Sequence, residues 1–125
     1  MKTIMILVVS AMLATTGFSK PTDKQFETIS NIQQTDSATF KVFGQCGMCK
    51  KRIEKAAKQL DGVSEAKWDV DSKEFTARYD AAKVSEKEIQ EKIASVGHDT
   101  EKVKATDEAY GTLPGCCKYD RPDTK

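Results

Sequence analysis

Residues 37–62 read SATFKVFGQCGMCKKRIEKAAKQLDG, and the spacing of apolar side chains changes in the middle of this stretch. In its first part, apolar residues alternate with polar ones: Ala38, Phe40 and Val42. In its second part, they recur at spacings of four, three and four: Cys49, Ile53, Ala56 and Leu60. Alternation indicates a half-buried strand, and the second spacing is one face of a helix. The stretch therefore predicts a strand, a loop that holds Cys46, and a helix.

Four further elements follow from the same patterns. Residues 63–70 and 75–79 alternate again on either side of a short turn, which predicts a β-hairpin. Ser85 and Glu88 have the spacing of a capping box, so a second helix is expected to begin there and to end at Gly97. Residues 100–105 are predicted to form a last strand.

The predicted order is β-α-β-β-α-β over residues 37–105. This order indicates an α+β fold of ferredoxin-like type, in which two helices cover one face of a four-stranded antiparallel sheet. The expected core consists of the inward residues of all these elements: Phe40, Val42, Ile53, Ala56, Leu60, Ala66, Trp68, Phe75, Ala77, Ile89, Ile93 and Val96.

The N-terminus has the pattern of an export signal. Residues 4–14 are almost wholly apolar and follow Lys2, but the run is shorter than the roughly 20 residues of a membrane span. Small side chains at Gly17 and Ser19 suit cleavage after Ser19. We therefore expect a signal peptide at 1–19 and a periplasmic or secreted mature chain, with no membrane insertion after cleavage.

The remaining segments and the charge narrow the function further. Residues 20–36 are polar and are expected to form a linker, and residues 106–125 form a tail that contains Cys116 and Cys117. Removal of residues 1–19 would take away one positive charge, which changes the formal net charge from +1 to zero. Nucleic-acid binding requires a basic excess, so a nucleic-acid partner is not expected.

The Cys46-x-x-Cys49 pair is the strongest candidate for chemistry. Cys49 would lie in the first turn of the helix, where the helix dipole and the basic residues Lys50 and Lys51 favour thiolate over thiol. Two thiolates suit a soft ion of low coordination number, such as Cu(I) or Hg(II), whereas structural zinc takes four ligands. A redox disulfide and an ordinary buried thiol at Cys49 remain open alternatives.

The chain resembles the heavy-metal-associated domain family. The likeness rests on the β-α-β-β-α-β order, on Cys46 and Cys49 between the first strand and first helix, and on residues 60–63 and 97–98. That family includes copper chaperones, N-terminal domains of metal-pumping ATPases and periplasmic mercury-binding proteins. The resemblance implies transfer of a metal ion between thiolates of two proteins. One departure is that residues 43–45 read Phe-Gly-Gln where the family usually has Gly-Met-Thr.

Three further side chains are possible additional metal ligands. His98 would follow the second helix, near the metal loop according to the resemblance; it could be a third ligand or an ordinary exposed loop histidine. Cys116 and Cys117 could bind the ion if the tail folds back, with Tyr110, Leu113 and Tyr119 docking it. A vicinal, intermolecular or other structural disulfide is the alternative for this pair.

The sequence thus predicts a metal-binding protein without enzymatic activity. Cu(I) is the expected ion, with Hg(II), Zn(II) and Cd(II) as other possibilities. The expected partner is a metal-transporting membrane protein or another metal-binding domain. Lys50, Lys51 and Lys55 are the expected docking residues, and an ordinary solvated helix face is the alternative for them. We expect a monomer, with a metal-bridged dimer as an alternative. Two other functions remain: a thiol–disulfide redox protein, and a metal-sensing accessory domain of a membrane transporter.

Overall fold

A computed structural model describes residues 34–122. The predicted signal peptide and all but the last three residues of the predicted linker lie outside the described residues. The elements in chain order are β1 (Thr35–Lys41), α1 (Gly47–Lys58), β2 (Val63–Trp68), β3 (Glu74–Asp80), α2 (Glu86–Ser95), α3 (Asp107–Gly111) and a 3₁₀ turn (Gly115–Cys117). Within residues 34–122, no helix has the length and apolar character that crossing a membrane requires.

The three strands form an antiparallel sheet in the order β1-β3-β2. Phe40 of β1 and Trp68 of β2 both pair with Phe75, the residue of β3 that lies between them. Side chains on one face of all three strands are buried and those on the other face are exposed. The helices therefore pack on a single face, as the alternation predicts, and the α+β, ferredoxin-like fold class is confirmed.

The predicted fourth strand differs in one detail, its length. It is reduced to a short antiparallel bridge in which Val42 pairs with Thr100 beside β1. The Phe43 N–H donates to the Asp99 carbonyl at 2.8 Å, and the Glu101 N–H donates to the Lys41 carbonyl at 2.8 Å. The chain then turns away, because the Thr100 N–H donates to the Val103 carbonyl at 2.8 Å. The segment has the position of a fourth strand but not its length.

Both long helices begin at residues that the sequence marks. The Ser85 hydroxyl accepts a hydrogen bond from the Glu88 N–H, and the Glu88 carboxylate accepts one from the Ser85 N–H at 2.8 Å. This is the predicted capping box.

In α1 the inward stripe is fully buried, with Cys49 and Ile53 both inaccessible to solvent. Of the predicted core, only Leu60 and Val96 are partly rather than fully buried.

The C-terminal segment folds back onto the domain. We call residues 106–122 the C-terminal strap. Three of its side chains, Leu113, Cys117 and Tyr119, are at most 5% exposed and belong to the main hydrophobic core. The Thr106 hydroxyl caps α3 by accepting from the Ala109 N–H at 3.1 Å. The expectation that Tyr110, Leu113 and Tyr119 could dock the tail agrees with this packing, although Tyr110 is only partly buried.

An ion pair fastens the end of the strap. The Arg121 guanidinium donates to both carboxylate oxygens of Asp99, each at 2.8 Å, and to Asp107 at 2.6 Å. The Asp99 side chain is 1% exposed and that of Arg121 is 16% exposed. Burial by itself would raise the pKa of Asp99, but hydrogen bonds from Arg121 and the Ala105 N–H hold that pKa below its ordinary value.

Tyr119 and Gly97 provide a second attachment. The Tyr119 hydroxyl accepts from the Asp99 N–H at 2.7 Å and donates to the Gly97 carbonyl at 3.0 Å. Gly97 has φ +103°, and a β-carbon there would lie 2.7 Å from the Ala109 carbonyl oxygen and 2.9 Å from Leu113. A side chain at position 97 would therefore collide with the strap as well as strain the backbone.

We expect Arg121→Ala to lower the free energy of unfolding by about 3 kcal/mol, because it leaves the buried Asp99 carboxylate without its cation. Urea unfolding followed by circular dichroism measures this change. Arg78→Ala is the matched control, since Arg78 is exposed on β3, and it should change the free energy by less than about 0.5 kcal/mol. Equal effects of the two substitutions would contradict the assigned role of Arg121.

Candidate metal centre

The loop that carries Cys46 rests on a tryptophan. The Trp68 indole N–H donates to the Val42 carbonyl at 3.0 Å, and the ring lies beside Gly44. A β-carbon at position 44 would lie 3.0 Å from the Trp68 ring and 3.2 Å from the Cys49 β-carbon. The loop therefore packs closely only with glycine at this position. Trp68 thus directly supports the loop formed by Phe43-Gly44-Gln45 and Cys46.

Cys46 is the N-cap residue of α1, with an extended backbone. Its side chain makes no capping hydrogen bond, but the backbone N–H groups of Met48 and Cys49 act on its sulfur. The Cys49 N–H contributes most to lowering the pKa of Cys46 to about 7, and the Cys49 thiol, the Met48 N–H and the Cys117 thiol add to this effect. The lowered pKa favours the thiolate, which is the form of cysteine that acts as a nucleophile and can bind a metal ion.

Three sulfurs meet at the head of α1. The Cys46 sulfur lies 3.5 Å from that of Cys49 and 3.9 Å from that of Cys117. Cys49 and Cys117 are both inaccessible to solvent, whereas Cys46 is partly exposed. All the cysteines are free thiols in this structure. Burial, followed by the neighbouring thiols of Cys49 and Cys46, raises the pKa of Cys117 well above its ordinary value.

A fourth thiol lies at the surface of this cluster. The sulfurs of Cys46, Cys116 and Cys117 all lie within 4.8 Å of one another. Cys116 is exposed, and its sulfur is 3.7 Å from the thioether of Met48. Met48 is itself 52% exposed, the large apolar side chain of the described residues that solvent reaches most. Sulfur ligands of both kinds are soft.

His98 is buried and is therefore not the ordinary exposed loop histidine of the alternative interpretation. It is inaccessible to solvent, and its ring stacks on that of Tyr119 with centroids 5.7 Å apart. Nδ1 lies 2.8 Å from the Phe43 carbonyl oxygen, which can only accept, so Nδ1 carries the proton. Nε2 is buried and has no hydrogen-bond partner among residues 34–122. Desolvation holds the pKa of His98 below its ordinary value of 6.5.

The predicted docking lysines lie on α1. Lys51 and Lys55 are exposed and line a groove together with Met48, Arg52 and Gln59. Lys50 is partly buried and forms an ion pair with Glu54 at 3.7 Å. Met48, whose thioether contacts the Cys116 sulfur, connects this basic groove to the sulfur cluster, whereas Lys50 does not line the groove.

Sequence reasoning overlooked three residues that build the centre. The sequence pattern places Trp68 only in the core, and it indicates no role in positioning sulfurs for Arg121 or for the exposed thioether of Met48. The Met48 contact could have been suspected once Cys116 was considered as a ligand. The Arg121–Asp99 pair had no local signal, because its two members are 22 residues apart.

Known proteins match the region that contains Cys46 and Cys49. The profile of the heavy-metal-associated domain matches residues 39–99. A zinc-transporting ATPase from Synechocystis is 39% identical over 61 residues, which are 49% of this chain and 8% of that protein. The chain thus spans only a small part of that relative.

Two smaller proteins match over most of their own length. The copper chaperone CopZ from Staphylococcus aureus is 32% identical over 54 residues, which are 43% of this chain and 79% of the chaperone. A solved structure of a CopZ metallochaperone is 29% identical, with a TM-score of 0.51, and covers 52% of this chain and 98% of that one. The profile match ends at Asp99, before the C-terminal strap.

We expect Cys46 of the reduced, metal-free protein to be alkylated faster than Cys117, with a rate that follows a midpoint near pH 7. Iodoacetamide labelling with peptide mass spectrometry, from about pH 5 to about pH 9, measures both rates. Cys49→Ala should move the Cys46 midpoint only part of the way towards 9, because the backbone N–H of residue 49 remains. Preferential labelling of Cys117 would contradict the arrangement described.

We expect the protein to lose stability as the pH falls below 6.5, because the unfolded chain binds a proton at His98 that the folded protein binds only at lower pH. His98→Gln can still donate to the Phe43 carbonyl and should flatten this slope. Cys46, whose pKa is lowered to about 7, also titrates close to this window, so His98→Gln is compared with the unaltered histidine in a Cys46→Ser background. Urea unfolding at a series of pH values measures how the free energy of unfolding depends on pH. An unchanged dependence in His98→Gln would show that groups other than His98 cause the loss of stability.

Proposed function

This chain belongs to the heavy-metal-associated domain family, and from that premise we propose that it binds a soft metal ion and passes it to another protein. Cys46 and Cys49 are the proposed ligands, and Cu(I) is the proposed ion. Hg(II), Zn(II) and Cd(II) are its competitors. The chain acts in this proposal as a binding protein rather than as an enzyme.

One observation carries the proposal: two cysteine sulfurs 3.5 Å apart lie at the positive end of a helix. The first turn of α1 contains no acidic residue, so its amides and dipole favour anionic sulfur. Cys46 is partly exposed, which lets an incoming thiolate reach an ion bound there. Cys49 is anchored in the core and would remain as the fixed ligand.

Transfer would proceed by exchange of sulfur ligands. A thiolate of the receiving protein forms a bond to the ion, which then has one additional ligand. The bond to Cys46 breaks next, and the Cys46 thiolate takes up the proton that the incoming thiol released. The oxidation state of the ion does not change. Its release as a free ion is avoided, because it is bound to sulfur at every stage.

The proposed partner is a metal-transporting membrane protein or another metal-binding domain. The groove lined by Lys51, Arg52 and Lys55 lies beside the centre and would favour an acidic surface on that partner. On the basis of the signal-like residues 1–19, we also propose that the chain acts in the periplasm or outside the cell. A monomer is the proposed state of the chain. A metal-sensing role within a transporter is the related alternative.

A thiol–disulfide function has one observation in its favour, the 3.5 Å separation of the Cys46 and Cys49 sulfurs. Oxidation of the pair would release two protons and two electrons, which a disulfide substrate would take up as it becomes two thiols. A redox protein of this kind should catalyse disulfide exchange in the absence of metal. The proposed metal carrier should not.

We expect the reduced protein to bind one equivalent of Cu(I) in competition with a Cu(I)-selective chelator. Cys46→Ser should weaken Cu(I) binding by more than about 100-fold. That is a greater loss of affinity than follows removal of a residue that only hydrogen-bonds to a metal ligand. Parallel titrations should place Cu(I) and Hg(II) ahead of Zn(II), because zinc takes more ligands. Cys116→Ala is the matched control with one thiol fewer. Failure of the unaltered protein to compete for Cu(I) would refute the proposal.

A further inference from the structure

The C-terminal strap brings a third sulfur to the Cys46–Cys49 pair. We propose that Cys117 is a third thiolate ligand, so that the ion is bound by Cys46, Cys49 and Cys117 in a three-coordinate site. This proposal rests on the proposed function and specifies its coordination. Cys117 comes from outside the region that matches the family profile, so a two-cysteine loop by itself would not predict it.

The two sulfur–sulfur separations that involve Cys46 are nearer to those of a trigonal three-sulfur site than to that of a linear two-sulfur site. For a metal–sulfur bond of about 2.3 Å, two sulfurs on opposite sides of an ion are about 4.6 Å apart, and three in a trigonal plane are about 4.0 Å apart. The observed separations are 3.5 Å for Cys46–Cys49 and 3.9 Å for Cys46–Cys117. A linear two-sulfur complex would require the Cys46–Cys49 pair to open by about 1 Å, whereas a trigonal one requires about half of that.

The strap holds Cys117 in place before any ion binds. Cys117 ends the 3₁₀ turn, and its N–H donates to the Pro114 carbonyl at 2.8 Å. Buried Leu113 and Tyr119 fix the chain on both sides of it. A ligand that is already ordered loses little conformational freedom when it binds, so the third bond contributes more of its free energy to retention.

The surroundings can also accommodate the added charge. Three thiolates on a monovalent cation carry a net charge of −2, one more negative charge than two thiolates carry. The first turn of α1 supplies free backbone N–H groups and contains no acidic residue. These positive groups counter the additional charge, although Cys117 must lose its proton when the ion binds.

Three coordination changes how the ion would be transferred. The bond to Cys117 must break, and the strap must move or its sulfur must turn away, before the ion leaves on a partner's thiolates. The ion would therefore be retained more strongly and released more slowly than from Cys46 and Cys49 alone. Cys116 is exposed beside this site and is not needed as a ligand in this arrangement.

The test is X-ray absorption spectroscopy of the reduced full chain loaded with one equivalent of Cu(I). We expect three sulfur neighbours in the unaltered protein. Cys117→Ala should give two sulfur neighbours at a shorter mean distance, with retention against a chelator weakened at least about tenfold. Cys116→Ala, the adjacent matched control, should keep three. Two neighbours in the unaltered protein, or a loss caused by Cys116→Ala instead, would overturn the proposal.

Arg121→Ala provides a second variant in which every thiol remains. It detaches the strap from Asp99 and should speed removal of copper by the chelator, while Arg78→Ala should not. No acceleration would contradict a strap-held ligand, even if Cys117→Ala proves too unstable to study. Tight binding of copper by two sulfurs would reject only the third ligand. Absence of any copper binding by the unaltered protein would reject the proposed function itself.

Discussion

The ion pair between Asp99 and Arg121 joins the parts of the molecule that build the sulfur cluster. The Asp99 carboxylate accepts from Arg121 and from the Ala105 N–H, while its backbone bonds to Phe43 and to the Tyr119 hydroxyl. One buried residue thus connects the end of the first strand with the C-terminal strap. Because a buried carboxylate is costly without a cation, Arg121 fixes where the strap lies, and the strap fixes where Cys117 lies.

The sulfur environments then differ for identifiable reasons. Cys46 faces the free amides of α1, which stabilise its anion, whereas Cys117 is buried beside other thiols, which stabilises its protonated form. A cation at this position would reverse the preference at Cys117, since a metal ion offsets both desolvation and repulsion between thiolates. The metal-free protein can therefore keep one reactive thiol exposed and another protonated and protected from solvent.

The sequence predicted the parts of the fold that local patterns encode. Three such patterns are the alternation at Phe40 and Val42, the helical stripe from Cys49, and the capping box at Ser85. Each is made by residues that are close to one another in the sequence. The shortened last strand depends instead on hydrogen bonds made by Thr100 and by the Asp99 side chain. Arg121 and Asp99 are 22 residues apart in the sequence, so no local periodicity predicts their ion pair. The order of the elements and the residues that could dock the tail were therefore predictable, and the ion pair that fastens the strap was not.

The cluster also illustrates how a small domain can separate retention from exchange. As a proposed ligand, the partly exposed Cys46 would be open to attack by another thiolate, which favours transfer. Cys117, the proposed buried ligand, could not leave without disturbing the strap's packing, which favours retention. The balance is then set by the stability of the strap rather than by the metal loop. Substitutions at Asp99, Tyr119 or Arg121 could adjust that balance while leaving every sulfur in the chain.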